Sequence, residues 1–289
     1  MNLATDSAGQ AARSAVQSGN RLDLSPASNR SALALGDLLT GVMRWPLWLT
    51  MAWQDIKTRY RRSVLGPFWI TLSMGITVAV MGLLYGALFK LDLRHYVPFL
   101  TLGLVIFGYI TGVVTDGCQT FILSENFVKQ IRLPLSVFVY RIICRNLIIL
   151  GHNSIVYLVV GLGFLINPGL NGLWLIPGTI LVVLNSVWVA LLLGIFCTRF
   201  RDVPQVVASL LQVLFFTTPI MWTPVLLGDR AWVVNLNPAY HFLELMRAPL
   251  LGQAPTALNW GAALGTTVVG YGLAFLLFRR YRNRIAFWL

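Results

Sequence analysis

Long apolar stretches alternate with short polar ones along most of the chain. Six stretches, roughly 64–89, 98–122, 137–166, 174–197, 204–227 and 258–278, are predominantly apolar. An α-helix rises about 1.5 Å per residue, so about 20 apolar residues cross a hydrocarbon layer of about 30 Å. The pattern therefore predicts six transmembrane helices, which satisfy their own backbone groups in lipid. The third stretch begins with Arg141 and Arg145, so its first turns belong at the interface or against protein. The fifth is interrupted by Pro219 and Pro224.

The positive charges collect in every second gap. With the N-terminus inside, Arg13, Arg21, Arg30, Arg44, Lys57, Arg59, Arg61, Arg62, Lys129, Arg132, Arg141, Arg145, Arg199, Arg201, Arg279, Arg280, Arg282 and Arg284 fall on the inner side. Lys90, Arg94, Arg230 and Arg247 fall outside, which leaves 18 of the 22 cations within. Such a bias fixes orientation by the positive-inside rule and places both termini in the cytoplasm. The fold expected is all-α and integral to the membrane.

Three segments outside the spans differ in character. Residues 1–40 are rich in Ser, Ala and Asn and hold no apolar core of a signal peptide; they are expected to form a disordered cytoplasmic tail. Residues 41–62 place Leu49, Trp53, Ile56 and Tyr60 at helical spacing between polar positions, with Pro46 suited to a first turn. This predicts an amphipathic helix on the membrane surface; a plain turn ahead of the first span is the other reading. Residues 228–257 are too apolar for a free loop and carry Pro238, Pro249 and Pro255, so short helices dipping into the outer leaflet are expected before the last span. The organisation is thus a tail over 1–40, an interface helix over 41–62 and a six-span domain over 63–289.

Composition agrees. Of 289 residues, 57% are hydrophobic and 11% charged, too apolar for a water-facing core. The net charge of +12 lies beside apolar spans and accompanies no nucleic-acid module. Cys118, Cys144 and Cys197 lack metal-ligand spacing and are an odd number, which argues against zinc and a disulfide framework. No phosphate-cradling Gly-x-x-x-x-Gly-Lys loop occurs, since Lys57, Lys90 and Lys129 follow no glycine. An ATP-driven process would need a second chain. No His-Glu-x-x-His or Gly-x-Ser-x-Gly occurs either, so no catalytic residue and no metal are assigned.

A few polar residues stand out near the spans. Asp116 near one helix end is costly alone and is expected to pair with Arg141 or Arg145 as a structural bond. His152 with Asn153 is a polar pair at membrane depth, readable as functional or as interhelical hydrogen bonding. Residues 124–134 have Ser124 as cap and Pro134 as stop for about two helical turns, either a docking knob or a solvated connector.

At these residues a resemblance emerges. Residues 54–69, Gln-Asp-Ile-Lys-Thr-Arg-Tyr-Arg-Arg-Ser-Val-Leu-Gly-Pro-Phe-Trp, resemble the entry to the first span of ABC transporter permeases that export polysaccharides. Residues 124–134 resemble the coupling helix of that family. Arg199-Phe-Arg-Asp202, Thr218-Pro-Ile-Met-Trp222 and Asn237-Pro238 resemble its later part. The order and spacing of these motifs, over roughly 41–289, carry the resemblance. One departure is residues 72–75, Leu-Ser-Met-Gly, where many relatives carry proline.

The resemblance implies a homodimer of six-span subunits in the bacterial inner membrane, each served by a separate ATPase that holds ATP and magnesium. The permease itself would need no cofactor. Ser124, Glu125, Asn126, Lys129, Arg132 and Pro134 would then form the ATPase-coupling surface. Trp53, Lys57, Arg59, Arg61 and Arg62 would lie near lipid headgroups and meet the diphosphate of a polyprenyl-linked glycan, since guanidinium suits phosphate oxygens. Tyr85, Phe89, Phe107, Tyr109, Phe215 and Phe216 are candidates to line a channel on which sugars stack; the other reading has them facing lipid or other helices. The implied function is export of an O-antigen-like polysaccharide, with teichoic acid, capsule, lipid or drug export by a related permease as the alternative. A membrane enzyme would call for clustered carboxylates or histidines, and a channel for acidic rings or a filter; the sequence has neither.

Overall fold

The computed structural model describes residues 27–289 apart from Arg62 and Arg132, and among these residues it contains helices and no strand. In chain order they are α1 (Ala27–Met43), α2 (Trp45–Arg59), α3 (Phe68–Leu88), α4 (Leu93–Cys118), α5 (Glu125–Gln130), α6 (Ser136–Gly163), α7 (Leu175–Arg199), α8 (Val203–Thr217), α9 (Pro238–Leu250), α10 (Ala257–Tyr281) and α11 (Ile285–Trp288). Short 3₁₀ turns precede α5, α7, α9 and α11.

α4 is the centre of the bundle. It packs against α3, α6, α7, α8 and α9. Its apolar residues run round the whole helix, and Leu100, Leu102, Val105 and Ile106 are all buried. A helix apolar on every side belongs inside a protein or a membrane. α3 is its opposite: Leu72, Ile76, Val80, Leu83 and Leu84 are all exposed along one side. Unpaired apolar surface of that extent marks lipid or a partner.

Small residues bring the helices together, as they do in membranes where burial alone gives no driving force. At Gly178 of α7 a Cβ would strike the backbone carbonyl of Leu245 on α9. At Gly117 of α4 it would lie 3.0 Å from the Cα of Ala190 on α7.

Among the described residues, five helices are long and apolar enough to cross a membrane: Phe68–Leu88, Leu93–Cys118, Ser136–Gly163, Gly169–Arg199 (α7 with its leading 3₁₀ turn) and Ala257–Trp288 (α10 run on through α11). The stretch predicted as a fifth span over 204–227 is different. α8 has 15 residues, or about 22 Å at 1.5 Å per residue, and falls short of a hydrocarbon layer of about 30 Å. Thr218 turns extended (ψ 133°) ahead of Pro219, and the chain resumes as two 3₁₀ segments within Pro224–Leu236, separated by a kink at Gly228. The proline and the extended residue end the helix while the apolar composition continues.

The expected tail differs as well. Residues 1–26, with Arg13 and Arg21, lie outside the described residues, but 27–40 belong to α1. α1 packs on α6 and α10 and buries Ala34 and Asp37. Its Ser- and Asn-rich start disguised a helix held by tertiary contacts more than by its own propensity.

Candidate functional site

The C-terminal ends of α4, α7 and α10 and the N-terminal end of α6 come together at one end of the bundle. Three structures are built there. The first is a buried carboxylate lock. Asp37 of α1 has a fully buried side chain. Its Oδ2 accepts the Leu135 N–H at 3.2 Å, and its Oδ1 accepts the Ser136 N–H at 3.0 Å and the Ser136 hydroxyl at 2.9 Å. Arg282, just past α10, donates to Oδ2 at 2.9 Å. Asp37 thus caps α6 from another helix, where the free N–H groups and positive dipole end favour a carboxylate.

The second is a four-member ion network. Arg141 of α6 holds Asp55 of α2 with two bonds, Nε to Oδ2 at 2.8 Å and Nη2 to Oδ1 at 2.5 Å. Arg145, one turn on, reaches Asp55 at 3.3 Å and Asp116 of α4 at 2.6 Å. Asn146 adds a donor to Asp116 at 2.8 Å. Two carboxylates and two guanidiniums balance, so burial leaves little net charge to solvate. The network ties α2 to α4 and α6. Asp116 therefore takes Arg145 alone; Arg141 turns to Asp55, which the sequence presented only as one polar position of α2.

The third is the short α5. Glu125, Asn126 and Lys129 lie along its outer side, and Lys129 Nζ sits 2.6 Å from Glu125. That ammonium, by its hydrogen bond, holds the Glu125 carboxyl below the usual glutamate value. Leu123, Phe127 and Ile131, spaced four apart, are 68%, 43% and 50% exposed. Phe127 also leans on Phe138 of α6, ring centres 6.4 Å apart. Ser124 stands at the N-cap position with its side chain buried and making no cap bond, contrary to expectation. The helix ends at Gln130, before Pro134, because Ile131 is extended. Arg132 lies outside the described residues.

The remaining expected residues divide. Trp53, Lys57, Arg59 and Arg61 are exposed, opposite the buried Ala52 and Ile56, with the Lys57 ammonium 5.6 Å over the Trp53 ring. Arg62 lies outside the described residues. Of the aromatic candidates, Phe107 and Tyr109 are 4% and 3% exposed. Tyr109 bonds Ser186 of α7 at 2.9 Å, and Phe107 packs on Phe215 at 5.5 Å. They are interhelical packing and line no open path in this chain. Phe216 is 58% exposed, Phe89 is 39% exposed, and Tyr85 stacks on Phe89 at 5.8 Å. The His152 ring bonds the Ile148 carbonyl in its own helix at 2.8 Å, and the Asn153 side-chain oxygen is buried without a partner among the described residues. The three cysteines are free and buried.

Arg247 also departs from its place among the outer loop charges. It is 1% exposed, paired with Glu244, bonded to the Pro219 carbonyl at 2.6 Å and stacked 3.9 Å over the Phe99 ring. Glu244 three residues earlier was the available clue.

With this geometry in hand, comparison with known proteins is decisive for the family. The description ABC-2 type transporter matches residues 46–251. The chain belongs to the ABC-2 type transporter family. Members of this family are transport membrane subunits that work with an ABC ATPase partner. Among relatives, the O-antigen export system permease protein RfbA of Klebsiella pneumoniae is 24% identical over 243 residues, 81% of this chain and 91% of that protein. The protein of the same name from Myxococcus xanthus is 24% identical over 251 residues, 83% of this chain and 94% of that protein. The aligned family region of this ABC-2 permease contains α5 and the Asp55 network; Asp37 and Arg282 lie on either side of it.

Proposed function

We propose that this ABC-2 permease is the membrane subunit of an ATP-driven exporter that moves a lipid-linked, O-antigen-like polysaccharide from the cytoplasm across the bacterial inner membrane. The observation that carries the reading is similarity to O-antigen export permeases along more than four-fifths of the chain. In this reading the subunit pairs with a second copy and has six spans. α8 with the segment after Pro219 completes the short fifth crossing. Both termini and the basic end face the cytoplasm.

The chain supplies no chemistry; it supplies two conformations with different contacts to cargo and partner. α5 receives the ATPase: the apolar stripe of Leu123, Phe127 and Ile131 enters a groove, and Glu125, Asn126 and Lys129 meet the rim. α2 lies in the interface, with Lys57, Arg59 and the following Arg61 toward headgroups and the diphosphate of the glycan carrier. The Asp55 network makes α2 move with α4 and α6, so a push at the cytoplasmic side reaches the bundle core. Phe216, Phe89, Phe215 and Tyr85 remain as stacking surfaces on the glycan path between two copies.

Reconstitution with the ATPase encoded beside it tests the proposal. Lipid-linked glycan should raise ATP hydrolysis and appear on the far side of the vesicle. ATP hydrolysis by the permease alone, or a topology map with 124–134 on the extracytoplasmic side, contradicts it.

A further inference from the structure

A cleft of about 390 Å³ lies between the basic ends of α7 and α10 and the terminal α11. Its floor includes Ile195 and Leu277, and its walls Tyr281 and Trp288, whose rings pack at 5.3 Å. Arg199 and Arg284 stand at its rim, and no carboxylate residue lines it. The Arg199 guanidinium is held by aromatic faces, 5.9 Å from Phe200 and 5.6 Å from Trp288. Among the described residues neither Arg199 nor Arg284 forms an ion pair. Stacking fixes a guanidinium in place and leaves its N–H edge available to oxygen acceptors.

We propose that this cleft binds the phosphate headgroup of an anionic phospholipid from the leaflet at the basic end. Two unpaired arginines at a membrane boundary match phosphate oxygens in charge and geometry. The apolar lining favours a lipid over a free anion. Ile195 and Leu277 belong to helices that continue into the bilayer, and α10 exposes Leu273 and Leu276, 51% each, as a track for an acyl chain. Helix C-termini oppose an anion with about half a charge each, and α7 and α10 both end here. Two full guanidinium charges outweigh that. Occupancy would hold α11 against α7; α11 also touches α5, so the lipid would brace the surface offered to a partner. The inference requires the helices to cross a bilayer and is independent of the cargo.

Native mass spectrometry of the delipidated full chain, titrated with phosphatidylglycerol or phosphatidylcholine, tests it. Wild type should retain phosphatidylglycerol preferentially, and Arg199→Ala with Arg284→Ala should weaken retention roughly 30-fold, from two cations of about equal weight near an anionic surface. Arg94→Ala with Arg230→Ala removes the same charge elsewhere and should leave retention intact. Arg199→Gln with Arg284→Gln, which keeps side-chain length, replaces the alanine pair if that pair does not fold. Unchanged retention in the cleft variant, or equal loss in the control variant, overturns the site. Displacement of the lipid by millimolar inorganic phosphate overturns the lipid assignment in favour of a simple anion site.

Discussion

Replacing Asp37 with alanine should destabilise the protein more than any other single change in α1. The wild-type carboxylate accepts two backbone N–H groups and one guanidinium and shares the Ser136 hydroxyl with the Asp37 backbone carbonyl, which alanine keeps. Loss of an N-cap alone costs about 1 kcal/mol. Here the vacated donors face protein, because the residue carrying one of them, Ser136, is 0% exposed. Each buried donor left without a partner costs about 1–3 kcal/mol. Arg282 is 29% exposed in its side chain and can turn to water, so it adds little. The sum is on the order of 3–5 kcal/mol, comparable to breaking a buried ion pair from one side. At about 2–4 °C per kcal/mol for a domain of this size class, Tm should fall by about 10 °C. Asp37→Asn keeps the shape and one acceptor, so it should lie between alanine and wild type. Arg282→Ala should lose about 1 kcal/mol. Thermal unfolding in detergent followed by size-exclusion fluorescence measures all three. An Asp37→Ala shift no larger than that of the exposed Asp229→Ala refutes the lock.

Other expectations follow from the same geometry. Gly178→Ala drives a methyl into the Leu245 carbonyl and should cost on the order of 1–3 kcal/mol or abolish folded yield, whereas Gly261→Ala, with open space around it, should be neutral in the same Tm assay. A double-mutant cycle on Asp55 and Arg141, whose side chains are 17% and 18% exposed, should give a coupling of about 1–3 kcal/mol, and a value near zero would remove the network from the account. Phe107→Ala should cost about 3–5 kcal/mol while Phe216→Ala leaves Tm in place and lowers glycan export; equal Tm losses would contradict their assigned environments. Lys129 lowers the Glu125 pKa, so their pairing is present above the ordinary glutamate value of about 4.3 and is lost only as pH falls through a still lower one. ATPase association measured from pH 8 to about 6 should therefore show no step from Glu125, and Glu125→Gln should leave the profile in that window unchanged.

The sequence disclosed what depends on composition and local spacing. Long apolar runs gave α3, α4, α6, α7 and α10, because hydrocarbon imposes a minimum length that few other contexts require. At 204–227 the prolines marked an interruption but not its form: Thr218 leaves the helix while Ile220, Met221 and Trp222 stay apolar. A carboxylate near a span end signalled a need for a cation. It did not signal which one, and Asp55 was invisible as a third party 86 residues from Arg141. Asp37 was hidden more deeply: its partners are 98 and 99 residues away on α6 and 245 away beyond α10, and α1 has the composition of a flexible tail. Arg247 was counted only by its side of the membrane, and the charge count did not show that the fold provides it with a carboxylate, a carbonyl and an aromatic face. In each case the missing information is tertiary.

The Asp37 contact also sets an order of assembly. Asp37 leaves the ribosome 98 and 99 residues ahead of its partners at the start of α6 and 245 ahead of Arg282, so the first described helix to be translated waits on later ones to be secured. Until α6 has been inserted, an acidic side chain destined for a dry pocket remains in water, and its guanidinium partner arrives only with the residues past α10. Docking of α1 thus proceeds in two steps, so a chain stalled before α6 announces itself by an undocked leading helix that proteases can reach.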